Sequence, residues 1–377
     1  MKIFHCGHCG HLLFFENTEC VSCGHRVAYL PDLQMVASLD ADGDDKWHAA
    51  LPQAAASGYR LCQNDKIEGT CNWAVPADDD SPLCVSCRTT RVIPNLADPD
   101  NRARWYRLEV AKRRLLFTLI ELGLPLQDGV DHPEGGLTFE FLADTDPSGP
   151  RVLTGHADGV ITVNIAEADD VERERRRTTL HEPYRTLLGH MRHESGHYYW
   201  DRLIGGTSEV DQFRSLFGDE RADYDASLST YYERGAPADW QERFVSEYAS
   251  SHPWEDWAET WAQYLHMVDT LETAAACGLS LKPRRSDEPT VSKMPHPVSQ
   301  QPATFDRLID GWLPLTYVLN NLNRGLGHGD AYPFILSPTA VAKLRFVDEV
   351  VGRAKAGGRD KMDGKAKQPS EATTAAT

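Results

Sequence analysis

Apolar residues recur at helical spacing through LLGHMRHESGHYYWDRL, Leu187 to Leu203, and Tyr184, Leu187, Leu188, Met191, Tyr198 and Leu203 share one side of the wheel. The spacing predicts a helix over 183–204, with Pro183 suited to a first turn and Thr179 or His181 just ahead of it. The same period runs through 102–122, RARWYRLEVAKRRLLFTLIEL, and within 240–277. It returns over 305–322, bent or divided near Pro314, and over 338–351. Between 137 and 165 the period shortens to two: LTFEFL and VITVNI alternate as strands do, with glycine and proline between them. Residues 159–165 are the candidate outer strand of a sheet, where an extended peptide could add; an internal strand is the alternative.

Other stretches lack a period. An acidic, alanine-rich loop is expected around 39–57, a linker over 95–101, and a solvated charged lead, DDVERERRR, over 169–177. Residues 281–303 read as a proline- and serine-rich loop. The glycine-rich 323–330, with His328 and Asp330, is either a pocket wall or a surface turn. The organisation is therefore a small module over 1–100, an α+β domain over 101–351 and a disordered tail over 352–377.

The helix over 183–204 carries chemistry. His193 and His197 lie four apart and project from one side, so both imidazoles can reach one metal, with Glu194 beside it in the order HExxH. Two neutral imidazoles and a carboxylate suit zinc with a position left open for water, and Glu194 would act as general base. Gly196 costs helix propensity, yet its missing side chain would let another element pack close. The third ligand must come from elsewhere, because Trp200 and Ile204 stand where a single-stretch HExxHxxGxxH site needs glycine and histidine. HPWEDWAETWAQYL supplies Glu255 and Glu259, four apart on one helical face; one can ligate while the other hydrogen-bonds an imidazole, and either assignment stays open. Asp256 points to another face. Asp201, one turn beyond His197, could orient that imidazole or sit at the surface, and His190 reads as a core or pocket histidine.

Eight of the nine cysteines fall in the first 87 residues. Cys6, Cys9, Cys20 and Cys23 form two CxxC knuckles ten residues apart, a complete four-sulfur zinc site with short returning strands between. Cys62, Cys71, Cys84 and Cys87 supply a second set with looser spacing. One catalytic and two structural zinc ions are expected, and the module's folding should depend on the latter. Cys277 reads as a buried small apolar residue.

The net charge of −17 disfavours broad binding to a phosphate backbone. The basic face of 102–122, with Arg102, Arg104, Arg107, Lys112, Arg113 and Arg114, is expected to be solvated surface. No run of about twenty apolar residues and no basic-then-apolar opening is visible, so a cytoplasmic protein without membrane contact is expected.

The ribbon-type cysteines, HESGHYYWDRL, WEDWAETWA and NRGLGHGDAYPF together resemble a bacterial family of zinc-binding metallopeptidases with an attached N-terminal zinc ribbon. HExxH with a distal glutamate is similar to the gluzincins. The resemblance, which reaches to about Val350, implies a zincin-like fold, Glu255 as third ligand and Glu259 as support for a histidine. It also implies Tyr248 beside the reaction oxyanion. A peptide or protein substrate follows, and the ribbon could hold a protein partner. An inactive centre used only for binding is the rival reading.

Overall fold

The computed structural model describes residues 2–43, 45–51, 58–126, 135–144, 152–179, 186–299 and 301–366. The chain opens with an antiparallel hairpin, β1 (Phe4–His5) and β2 (Leu12–Leu13), which sets Phe4 opposite Leu13. Five antiparallel strands follow in sequence order: β3 (Val27–Leu30), β4 (Met35–Ala41), β5 (Trp47–Ala49), β6 (Tyr59–Leu61) and β7 (Ala74–Pro76). Two single helical turns, α1 (Gln63–Lys66) and α2 (Val85–Arg88), start at Cys62 and Cys84, and β8 (Thr90–Val92) follows.

The long α3 (Pro99–Glu121) starts where Asp98 accepts a hydrogen bond from the Asp100 N–H and Pro99 takes the first turn. Then come β9 (Thr138–Leu142), β10 (Gly155–Ala157) and β11 (Val160–Asn164). With β8 they form a mixed sheet in the order β10-β11-β9-β8, in which β8, β9 and β11 run parallel and β10 antiparallel. The remaining elements are helical: α4 (Asp170–Thr179), α5 (Leu187–Leu203), α6 (Val210–Phe217), α7 (Tyr224–Arg234), α8 (Trp240–Arg243), α9 (Pro253–Ala276), α10 (Phe305–Gly325) and α11 (Pro338–Ala366). Among the described residues, no helix is long and apolar enough to cross a membrane.

Several expectations change. The stretch 39–57 is not wholly loop: it holds the end of β4 and all of β5, with Trp47 paired to Tyr59, while 52–57 lie outside the described residues. The module has an apolar cluster of its own, Ala28, Leu30, Ala37, Leu39, Tyr59 and Ala74, in addition to its cysteines. The segment 159–165 contains an internal strand, β11, and the edge is β10. That order follows from the Asp158-Gly159 turn, where both residues have positive φ (49° and 83°) and fold β10 back along the outside of β11.

The basic face of α3 is not simply solvated. Lys112 and Arg113 are buried, Lys112 paired with Glu109 at 2.9 Å and Arg113 donating to the Thr70 carbonyl at 2.6 Å. Their long stems pack in a core that α3 shares with both parts of the chain: Phe117 meets Phe15 and Tyr29 at ring separations of 5.2 and 5.7 Å. The segment 95–101 is therefore a tight corner within one continuous core.

The helix expected over 183–204 begins at Leu187, with Thr186 Oγ1 accepting from the Gly189 N–H; His181, Pro183 and Tyr184 lie outside the described residues. Pro314 does not divide α10. Cys277 is exposed, as the residue that ends α9. The turn 323–330 is surface, closed by an Arg324–Asp330 ion pair at 2.6 Å, and His328 is exposed. The segment from 352 continues α11 to Ala366, because a helix already docked by its first turns extends without a new nucleus; 367–377 lie outside the described residues.

Candidate active site

The site is built where α5 crosses α9. A β-carbon on Gly196 would stand 2.9 Å from the Ala258 α-carbon, so only glycine permits this approach. Two indoles lock the crossing: Trp257 Nε1 donates to the Gly196 carbonyl at 2.8 Å and Trp261 Nε1 to Ser195 Oγ at 3.1 Å. His252 caps α9 through its ring nitrogen and Pro253 starts it, which fixes the first turn holding Glu255.

Across this crossing Glu255 meets both histidines. Its Oε2 lies 3.0 Å from His193 Nε2 and its Oε1 3.5 Å from His197 Nε2. One donor atom from each of His193, His197 and Glu255 falls within 4.8 Å of the others, so the three could hold a metal ion. Glu259 stands behind His193, with Oε1 2.7 Å from Nδ1, and Ser246 Oγ donates to its other oxygen at 2.7 Å. This leaves Nε2 of His193 facing Glu255. Asp256 turns away into an ion pair with Lys343.

The donor set fits zinc by its chemistry and its burial. Glu255 is only 1% exposed and its Oε2 has no directed hydrogen bond, a costly state that a cation between the three donors would relieve. Burial opposes charge on Glu255, but His197, His193 and the Tyr224 hydroxyl outweigh it and hold the carboxyl well below the usual range. Burial likewise lowers His193, whereas Glu255 and Glu259 raise it well above the ordinary histidine value.

A cavity of about 360 Å³ opens beside these donors. Glu194 lines it, with its carboxyl held below the ordinary value by His190, His193 and His197 against the opposing effect of burial. Tyr248 lines it too, its ring 6.0 Å from that of His193. Asp201 is on the same wall, where burial raises its carboxyl above the ordinary value and His197 opposes that rise.

Three cavity or near-cavity side chains escaped the sequence reading. Tyr224 on α7 donates to Glu255 Oε1 at 2.6 Å. His156 on β10 stacks 6.3 Å from His197, with burial and His197 drawing its pKa down to about 4, and its Nε2 accepts from the Gly159 N–H. His190 was noted as a pocket residue, but its partner Glu167 was not. For His156, the GHADG hairpin ahead of VITVNI was the available signal; Tyr224 and Glu167 reach the site only through the fold.

The cysteines gather as two groups. Cys6, Cys9, Cys20 and Cys23 converge, with Cys6–Cys23 sulfurs 3.7 Å apart and Cys9–Cys20 sulfurs 3.6 Å. Cys62, Cys71, Cys84 and Cys87 converge in full burial. The backbone N–H groups of Trp73, Cys84 and Cys87 donate to sulfurs of this second group at 3.4 Å.

Residues 101–350 match the family described as "Putative zinc-binding metallo-peptidase", and residues 3–98 match a zinc-ribbon domain. The chain belongs to this bacterial metallopeptidase family. It is 42% identical over 352 residues to uncharacterized proteins of Mycobacterium bovis and of Mycobacterium tuberculosis, covering 93% of this chain and 95% of theirs. No solved structure matches at a significant level. The family's two parts coincide with the β-rich ribbon module and the α+β domain seen here.

Proposed function

We propose that the protein is a zinc-dependent peptidase that hydrolyses peptide bonds in a peptide or protein substrate. The observation that carries this reading is the convergence of His193, His197 and Glu255 beside a cavity that Glu194 also lines. Zinc held by those three residues would supply Lewis acidity toward a carbonyl oxygen and make water more acidic. Glu194 takes the proton from the attacking water and delivers it to the leaving amine. Glu259 keeps the His193 ring in place through Nδ1, and Tyr248 donates toward the developing oxyanion. The outer edge of β10, which borders the cavity, offers unpaired backbone groups to an extended substrate. The two cysteine groups hold structural zinc.

Elemental analysis of purified protein tests the metal content. About three zinc ions per chain are expected, falling to about two in a folded His193→Ala/His197→Ala variant. Glu194→Gln should keep all of the zinc and lose hydrolysis of a peptide library by on the order of 100-fold or more. Full activity in that variant would remove Glu194 as the base.

A further inference from the structure

We propose that His190, held by Glu167, is the positioning residue that fixes the Glu194 carboxylate by binding one of its oxygens and leaving the other for proton transfer. This rests on the reading of Glu194 as general base. A glutamate side chain has several rotamers of similar energy, so a base that must meet one proton in one place loses rate unless something restrains it. The HExxH motif itself contains no such restraint.

The restraint comes from one turn earlier on α5. His190 Nε2 lies 3.2 Å from Glu194 Oε1, and its other ring nitrogen, Nδ1, lies 2.6 Å from Glu167 Oε2. Glu167 is buried, in the short helical turn Ile165–Ala168 that follows β11. Its second oxygen accepts from Thr154 Oγ1 at 2.7 Å. The turn is pinned from outside: Arg173 donates to the Glu167 carbonyl at 2.8 Å and Arg107, on α3, to the Ala168 carbonyl at 2.8 Å.

The line of contacts therefore runs from Thr154, on the cavity wall next to β10, through Glu167 and His190 to Glu194. The sheet edge proposed to align substrate and the carboxylate proposed to accept the proton are thus registered to each other. With a carboxylate at each nitrogen, the imidazole donates on both sides. Both nitrogens being engaged, His190 is not placed to join His193, His197 and Glu255 around a metal.

The test uses full-length, zinc-loaded protein and the library peptide that the wild type cleaves fastest. His190→Ala is expected to lower kcat roughly 10- to 100-fold with KM within about two-fold and zinc content unchanged. His190→Gln, whose amide can still donate to Glu194, should recover part of that loss, and Glu167→Gln should lower kcat less than His190→Ala. Crystal structures of wild type and His190→Gln or His190→Ala give a readout independent of turnover: Glu194 should hold one rotamer in wild type and spread over several in the alanine variant. An unchanged kcat in a folded His190→Ala protein, or a Glu194 carboxylate equally ordered in both structures, overturns the proposal. If the wild type cleaves no library peptide while Glu194 ordering still depends on His190, the peptidase reading fails and the contact stands as positional only.

Discussion

At the residue scale the crossing of α5 and α9 turns on one missing methyl group. Gly196→Ala should gain roughly 1 kcal/mol of helix propensity yet lose more, because the new carbon stands 2.9 Å from the Ala258 backbone. A net destabilisation of about 1–3 kcal/mol, measured by urea unfolding, is expected, together with weaker zinc retention as Glu255 moves away from the histidines. Glu255→Ala and Glu259→Ala should differ in kind. The first removes a metal donor; the second leaves the donors and frees the His193 ring, for a loss of roughly 10- to 100-fold in zinc affinity by chelator competition. Equal losses from both would mean that Glu259 ligates. His193, Glu194, His197 and Cys6, Cys9, Cys20 and Cys23 were legible because their chemistry is written in short fixed spacings, whereas Cys62, Cys71, Cys84 and Cys87 were read from a looser set. The choice between Glu255 and Glu259 came from the family resemblance and not from spacing, since four residues on one helical face separate them only in depth. Tyr224 and Glu167 were illegible for a further reason: each comes from a separate element, and only the packing brings it within reach of the site.

At the element scale, long helices with strong periods were legible, and short strands were not. The strands β5, β6 and β7 have three residues each, too few for alternation to show, and the end of β4 with all of β5 lay within what read as loop. Conversely, the charge on α3 misled, because Lys112 and Arg113 place long apolar stems in the core, Lys112 pairing with Glu109 and Arg113 donating to the Thr70 carbonyl. The packing of α9 against α10 carries a pH dependence. His266 sits with its ring 5.9 Å from Trp312 and 5.5 Å from Tyr332, and burial together with Arg192 brings its pKa down to about 3. A histidine whose pKa is depressed on folding contributes stability above its ordinary value, near 6.5, and loses it as pH falls below that value toward 3, because the unfolded chain takes up the proton first. Between about pH 7 and about pH 4.5 the wild type should therefore lose up to about 2 kcal/mol that His266→Leu does not lose, as read from denaturant unfolding at the two pH values.

At the scale of the whole molecule, the family's two parts share their interior. The ribbon module gives β8 to the sheet of the α+β domain, and Phe15 and Tyr29 to the core around Phe117. A chain starting at residue 99 would expose that aromatic surface and the β8-facing edge of β9. It should fail to melt cooperatively and should lose its near-ultraviolet circular dichroism; a melt like that of the full chain would show that the domain stands alone. The second cysteine group lies on this seam. Cys84 caps α2, Cys87 lies within it, and β8 begins at Thr90. A reagent that alkylates those thiols would silence hydrolysis in an enzyme whose proposed chemistry uses no sulfur. In an inhibitor screen it would score as a hit, yet no ligand of the cavity beside His193 and His197 would protect against it.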